Sequence, residues 1–230
     1  MIPCEFEPLG DSALIIRFTD TIDDCVNQHI HFLCVKIEES AIAGIIECVP
    51  TFTCLSIIYD PVKWSFTELK LFLINFLDEL GNSDREIEKG EMVIPVCYGE
   101  EFGPDIDFVA IHNHCTVDEV IKIHSSTVYR VYMLGFIPGF AHLGSVDHRI
   151  TTPRRSSPRL KVESGSVGIA NRQTGIYPYA SPGGWQLIGR TPLLLFDETK
   201  SPPSYLNPGD VVRFLSIGKD EFYRLREEKL

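Results

Sequence analysis

Val128-Tyr129-Arg130-Val131-Tyr132-Met133-Leu134, followed by Gly135-Phe136-Ile137-Pro138-Gly139-Phe140, sets the pattern for the second half of this chain. A run of strand length, rich in β-branched and aromatic residues, stops at glycine and proline. The alternation continues toward the end, with turn signals at Pro153, Pro158, Gly165, Gly175, Pro182-Gly183-Gly184 and Pro208-Gly209-Asp210. Short strands with such punctuation argue for a β-barrel or sandwich. Just upstream, two short helices are expected at Ile106–His112 and Val117–Ser125, the second capped by Thr116 with Glu119 three residues on.

Before residue 100 the sequence has another character, dominated by Cys, Ile, Leu and acidic residues. A strand is expected over Asp11–Phe18. The spacing of Ile22, Val26, Ile30, Leu33 and Ile37 puts them on one helical face. Two strands follow, Ile45–Val49 and Thr53–Tyr59. A second helix opens at Ser65, where Glu68 completes a capping box, and presents Phe66, Leu69, Leu73, Phe76 and Leu80, with Gly81 placed to end it. Met92–Tyr98 reads as one more strand. The order β-α-β-β-α-β is the ferredoxin-like pattern. The chain is therefore read as α+β in two domains: a ferredoxin-like domain over residues 1–90, then a β-barrel over residues 91–230 with two leading helices.

Composition narrows the function. Of the 230 residues, 44% are hydrophobic and 23% charged, enough apolar mass for packed cores and too much for a disordered chain. No stretch approaches the roughly 18 uncharged apolar residues of a spanning helix. A net charge of −11 argues against nucleic acid or an anionic membrane as a general partner. The N-terminus lacks the basic lead and apolar block of a signal peptide, so a cytoplasmic protein is expected. Seven scattered cysteines show no CxxC spacing and read as thiols in a reducing compartment, and no metal-ligating set is visible. There is no P-loop and no Gly-x-Ser-x-Gly elbow, so no nucleotide site is held by this chain alone.

The chemistry concentrates between Gly135 and Arg190, where seven basic residues face only Asp147 and Glu163. Arg149, Arg154, Arg155, Arg159, Arg172 and Arg190 suit carboxylates or phosphates, whose oxygens match the guanidinium fork. The alternative is that several of them pair with the acidic first domain or with a partner surface. Three loops in this stretch carry glycines whose N–H groups could converge on an oxyanion, the alternative being plain corner chemistry of a small barrel. His142 is a candidate for anion binding or proton transfer. The letters His112-Asn113-His114 resemble a nuclease signature, but residues two apart on a helix do not share a face, so a structural role is expected.

Several long motifs carry a resemblance. They are Tyr129 to Phe140, Thr152-Pro153-Arg154-Arg155, Gly165-Ser166-Val167-Gly168-Ile169-Ala170, Gln173-Thr174-Gly175-Ile176-Tyr177-Pro178, and Ser181 to Pro192. Together they resemble the family of B-type subunits of bacterial ATP-dependent 5-oxoprolinases, also labelled kinase A inhibitor (KipI) or allophanate hydrolase subunit 1 (carboxyltransferase domain of C and D type). The resemblance implies a cyclophilin-like barrel and a sister C-type subunit. With that partner, the B-type chain phosphorylates the lactam oxygen of 5-oxoproline, using ATP and Mg2+ shared between the two. A further, A-type subunit then opens the ring to L-glutamate. On this reading Arg154, Arg155 and His142 are catalytic. Phe136, Pro138, Gly139, Phe140, Arg159, Gly165, Ser166, Gln173, Tyr177, Ser181, Gly183, Gly184, Trp185 and Arg190 surround substrate and ATP. The chain departs from the family pattern at Glu163-Ser164, where Pro-Ala is usual, and at His142, where tyrosine is more frequent. Two other roles in the family are inhibition of a sporulation histidine kinase and one half of a biotin-dependent carboxyltransferase. The latter would need a separate biotin carrier, since this chain has no Met-Lys pair.

Overall fold

The computed structural model describes residues 3–80 and 90–228. The chain divides into two compact units, Met1–Glu88 and Lys89–Leu230.

The first unit contains β1 (Glu5–Leu9), β2 (Ala13–Arg17), α1 (Asp24–Glu39), β3 (Ile45–Pro50), β4 (Cys54–Tyr59) and α2 (Phe66–Leu80). Its antiparallel sheet runs β1-β2-β4-β3. The expected helical faces form over most of their length: Ile30, Leu33 and Ile37 of α1 and Leu69, Leu73 and Leu77 of α2 are buried with Leu14, Ile16, Leu55 and Ile57 of the sheet, whereas Ile22, expected on the first face, lies before α1 and is 43% exposed. Each such side chain contributes roughly 1.5–3 kcal/mol. Ser65 caps α2 as its sequence demands, with the Ser65 backbone N–H donating to Glu68 Oε2 at 3.0 Å. The expected stop at Gly81 lies outside the described residues.

One part of the expected order is corrected. Met92–Tyr98 does not close the first sheet; it enters the barrel of the second unit as β5 (Glu91–Tyr98). The sheet edge beside β2 is filled by β1, which the sequence reading missed. The hairpin turns at Gly10, whose φ of +66° is the left-handed conformation glycine adopts without strain. Pro8 and two glutamates mask β1 in the sequence, yet proline is tolerated on an edge strand.

In the second unit, α3 (Ile106–His112) and α4 (Val117–Ser126) follow β5, close to their expected positions. The Thr116–Glu119 capping box is complete. Next come β6 (Val128–Leu134), β7 (Ala141–Gly144), β8 (Arg159–Val162), β9 (Ser166–Ala170), β10 (Gln173–Ile176), β11 (Ser181–Gly183), β12 (Gln186–Arg190), β13 (Val211–Ser216) and α5 (Lys219–Glu227). Seven strands close a barrel in the order β10-β7-β6-β13-β5-β12-β9, while β8 and β11 form a separate ribbon. The pairing of β5 with β13 is parallel, from Glu91↔Val211 to Val96↔Ser216. The other barrel pairings are antiparallel. Alternate residues point inward, so Ile94, Val96, Val131, Leu143, Val167, Ile169, Ile176, Ile188, Val212 and Phe214 fill the interior.

His124 of α4 reaches into this core and is wholly buried. Its Nδ1 lies 2.8 Å from the Tyr98 hydroxyl and its Nε2 lies 2.9 Å from Thr174 Oγ1. Because Thr174 donates to the Gly168 carbonyl at 3.0 Å, its oxygen accepts from Nε2–H, and Tyr98 therefore donates to Nδ1. The chain of bonds is satisfied only by a neutral ring, and burial pushes the imidazole down to about 3.

Candidate functional site

The site residues are carried by the β6–β7 loop, β7, the segment before β8, and β8 through β12. In the β6–β7 loop, Gly135 N–H donates to Phe140 O and Phe140 N–H to Ile137 O, both at 3.1 Å. This tight turn leaves the Phe136 ring 66% exposed while Phe140 is buried. Gly139, at φ +77°, could not carry a Cβ, which would meet the Phe196 ring at 2.8 Å.

Phe140 is the hub of an aromatic cluster. Its ring centroid lies 5.0 Å from Tyr177 and 5.4 Å from Trp185, both edge-on. It lies 4.8 Å from His142 and 5.6 Å from Phe136. The His142 ring also meets Trp185 edge-on at 5.8 Å. Burial holds the His142 imidazole below its usual value; hydrogen bonding to Gln173 and to the backbone of Gly135 opposes this, and the Arg154 charge reinforces it. The Tyr177 hydroxyl is pushed up by burial, against the opposing backbone N–H of Trp185. Arg154 is exposed, stacks its guanidinium over Trp185 at 5.9 Å, and makes no ion pair among the described residues. An unpaired cation on the rim of an aromatic wall suits a small planar anion.

The other candidates separate from this wall. Arg155 Nη1 and Arg159 Nη2 both donate to Asp105 Oδ1, at 3.0 and 2.7 Å. Asp105 Oδ2 in turn accepts the Leu187 N–H at 2.7 Å. These two arginines spend charge on fastening the segment before β8, the start of β8 and the start of α3 to β12; their acidic partner lies within the second unit itself, whereas the alternative read from the sequence places it in the first domain or a partner surface. Arg155 Nε and Arg159 Nη1 remain buried without a protein acceptor. Arg190, half-buried, donates from Nε to the Ser164 carbonyl at 2.7 Å and touches none of the aromatic residues in any hydrogen bond or ring contact.

In the glycine loops several backbone N–H groups are used within the fold. Gly165 N–H donates to Tyr177 O at 2.7 Å and Ser166 N–H to Glu163 O at 3.2 Å. Their glycines answer to packing: a Cβ on Gly165 would meet Thr191 O at 2.4 Å, and one on Gly183 would meet the Tyr177 hydroxyl at 2.3 Å. Gly184 accepts from Arg155 N–H at 2.8 Å. Ser166 and Ser181 are buried in strands and Pro138 is exposed at the loop tip. At His112-Asn113-His114, Asn113 Nδ2 donates to Val109 O at 2.9 Å and Thr152 Oγ1 at 3.0 Å, a structural role. Among the described residues no three His, Cys, Asp or Glu gather to hold a metal ion. The Gly165 and Ser166 amides are thus not available to an anion.

Asp105 and His124 were missed by the sequence reading. Asp105 stands 50 positions before its first arginine, and nothing local marks it.

A closed barrel with a four-stranded, helix-backed sheet unit before it makes an α+β protein. Residues 4–206 match the family model for the carboxyltransferase domain, subdomain C and D, and the chain belongs to that family. It is 45% identical to the B-type subunit of 5-oxoprolinase from Bacillus subtilis over 97% of each chain. It is 37% identical to the corresponding 5-oxoprolinase chain of Escherichia coli O157:H7, covering 90% of this chain and 93% of that one. A conserved uncharacterized protein of Pyrococcus horikoshii has a similar crystal structure, with a TM-score of 0.57 and 49% identity over 95% of this chain and all of that one. Among the described residues no helix is long and apolar enough to cross a membrane.

Proposed function

We propose that the chain is the B-type subunit of an ATP-dependent 5-oxoprolinase, a hydrolase complex that opens 5-oxoproline to L-glutamate and acts only with its partner subunits. The observation that carries this reading is the 45% identity to the Bacillus subtilis protein along nearly the whole of both chains. The chemistry of the wall supports it. 5-Oxoproline is a flat lactam bearing one carboxylate. Arg154 supplies a guanidinium without an ion pair among the described residues for the carboxylate, and the exposed Phe136 ring supplies an apolar surface for the lactam, with Phe140 and Trp185 buried behind them. His142, neutral near pH 7, and Gln173 stand beside that wall as hydrogen-bonding groups for the amide.

ATP and Mg2+ belong, on this reading, to a site completed by the sister C-type chain, since the sequence carries no P-loop. The third, A-type chain would open the activated ring, and the complex would work in the cytoplasm. The strand order β1-β2-β4-β3, with β2, β4 and β3 in the places of a split βαβ, supports a ferredoxin-like reading of the first unit, closed by β1. The closed barrel supports a cyclophilin-like reading of the second.

Co-expression with the neighbouring-gene partners, followed by assay of ATP hydrolysis with and without 5-oxoproline, tests the proposal. Stimulation that requires both this chain and the substrate is expected. A stable complex whose ATP hydrolysis ignores 5-oxoproline would overturn it.

A further inference from the structure

The end of β12 and helix α5 enclose a cleft of about 190 Å3. Arg190 and Arg226 both line it, and Pro192, Leu194 and Phe222 give it apolar walls. Burial lowers the Arg190 guanidinium from its usual value and the neighbouring Arg226 charge lowers it further. Arg190 is half-buried and Arg226 exposed, and neither has an ion-pair partner within 4 Å among the described residues. Two guanidiniums facing one cleft favour an anion between them. Glu163 at the rim feels both guanidiniums, after its nearer partner Lys161.

We propose that this cleft binds a small carboxylate with an apolar body, its oxygens on Arg190 and Arg226 and its body against Pro192, Leu194 and Phe222. The site is separate from the Arg154 wall. Arg190 is already oriented for the task, because its Nε is fixed on the Ser164 carbonyl at 2.7 Å and its two Nη groups make no hydrogen bond among the described residues. A pre-set guanidinium loses little side-chain freedom on binding. The backbone decides between anions. Phosphate sites are ordinarily built from converging N–H groups. Here Gly165 N–H is used by Tyr177 O at 2.7 Å and Thr191 N–H by Gly165 O at 2.9 Å, while Leu193 N–H goes to Thr191 Oγ1 at 3.3 Å. Two forks and an apolar wall, with the Thr191 and Leu193 amides already used, favour a carboxylate carrying a few carbons.

The test is titration of the purified full-length chain with butyrate and, separately, inorganic phosphate, read by NMR chemical shifts. Butyrate is expected to saturate, with Kd raised about tenfold in both Arg190→Gln and Arg226→Gln, since each removes one charge-assisted contact. Glu163→Gln removes the competing carboxylate at the rim and is expected to tighten butyrate binding by roughly threefold, a gain that no folding defect can imitate. Arg154→Gln should leave the titration unchanged. Non-saturating shifts, equal affinity in wild type and both arginine variants, or phosphate binding tighter than butyrate would each overturn the assignment.

Discussion

His124 Nε2 stands 2.9 Å from Thr174 Oγ1 in the interior of the barrel, on the far side of the ring from the Tyr98 hydroxyl. A residue that titrates in water near neutrality is here a fixed strut between α4, β5 and β10. Its folded value of about 3 lies below its ordinary 6.5, so between these two the unfolded chain holds the extra proton. Stability from this group is full above 6.5 and is lost as the pH falls toward 3. The loss amounts to about 1.4 kcal/mol for each pH unit in that window. Urea melts at pH 7, 6 and 5 should show this slope in the wild type. His124→Phe should be less stable at pH 7 by about 2–4 kcal/mol, with a shallower acid slope.

Asp105 is held by two guanidiniums and one backbone N–H, and its removal strands all three donors. Asp105→Ala is expected to cost about 2–4 kcal/mol, read as a lower urea midpoint at an unchanged m-value. An effect within experimental error would mean that Arg155 and Arg159 find other acceptors and are not structural.

Arg154 has no structural anchor beyond its contact with Trp185. Arg154→Ala should leave the thermal midpoint of the isolated chain where it is. The same substitution should reduce 5-oxoproline-stimulated ATP hydrolysis by the assembled complex about a hundredfold. Unchanged turnover would remove Arg154 from the site.

Two adjacent glycines separate packing from ligand binding. A Cβ at Gly183 would press on the Tyr177 hydroxyl at 2.3 Å, whereas one at Gly184 would touch Pro158 no closer than 3.6 Å. Gly183→Ala is expected to destabilise by about 1–3 kcal/mol, and Gly184→Ala to be tolerated, in paired denaturation curves.

The elements that local chemistry dictates were legible in the sequence. The Ser65–Glu68 and Thr116–Glu119 boxes start helices where their side chains say they must, and the apolar spacing of α1 and α2 names the buried face. What the sequence hides is partnership. Met92–Tyr98 reads as a strand on any sheet, and only its distant pairing with Val211–Ser216 assigns it to the barrel. The same holds at the site. The run of arginines announced a cationic face, but a single carboxylate at Asp105 claims two of them, and no local pattern could have said which. Glycine content is ambiguous for a related reason, since close packing and anion cradling call for the same residue.

The parallel seam between β5 and β13 also sets an order on synthesis. The strand that seals the barrel emerges last and must slot between β5 and β6, which were made more than seventy residues earlier. Until Val211–Ser216 leaves the ribosome, both neighbours present unpaired edges, the surfaces through which nascent chains stick to one another. A chain halted before that point has its hydrophobic residues in hand and no closed wall to keep them in. Chaperone capture and early degradation should therefore concentrate on arrested chains that lack this seam.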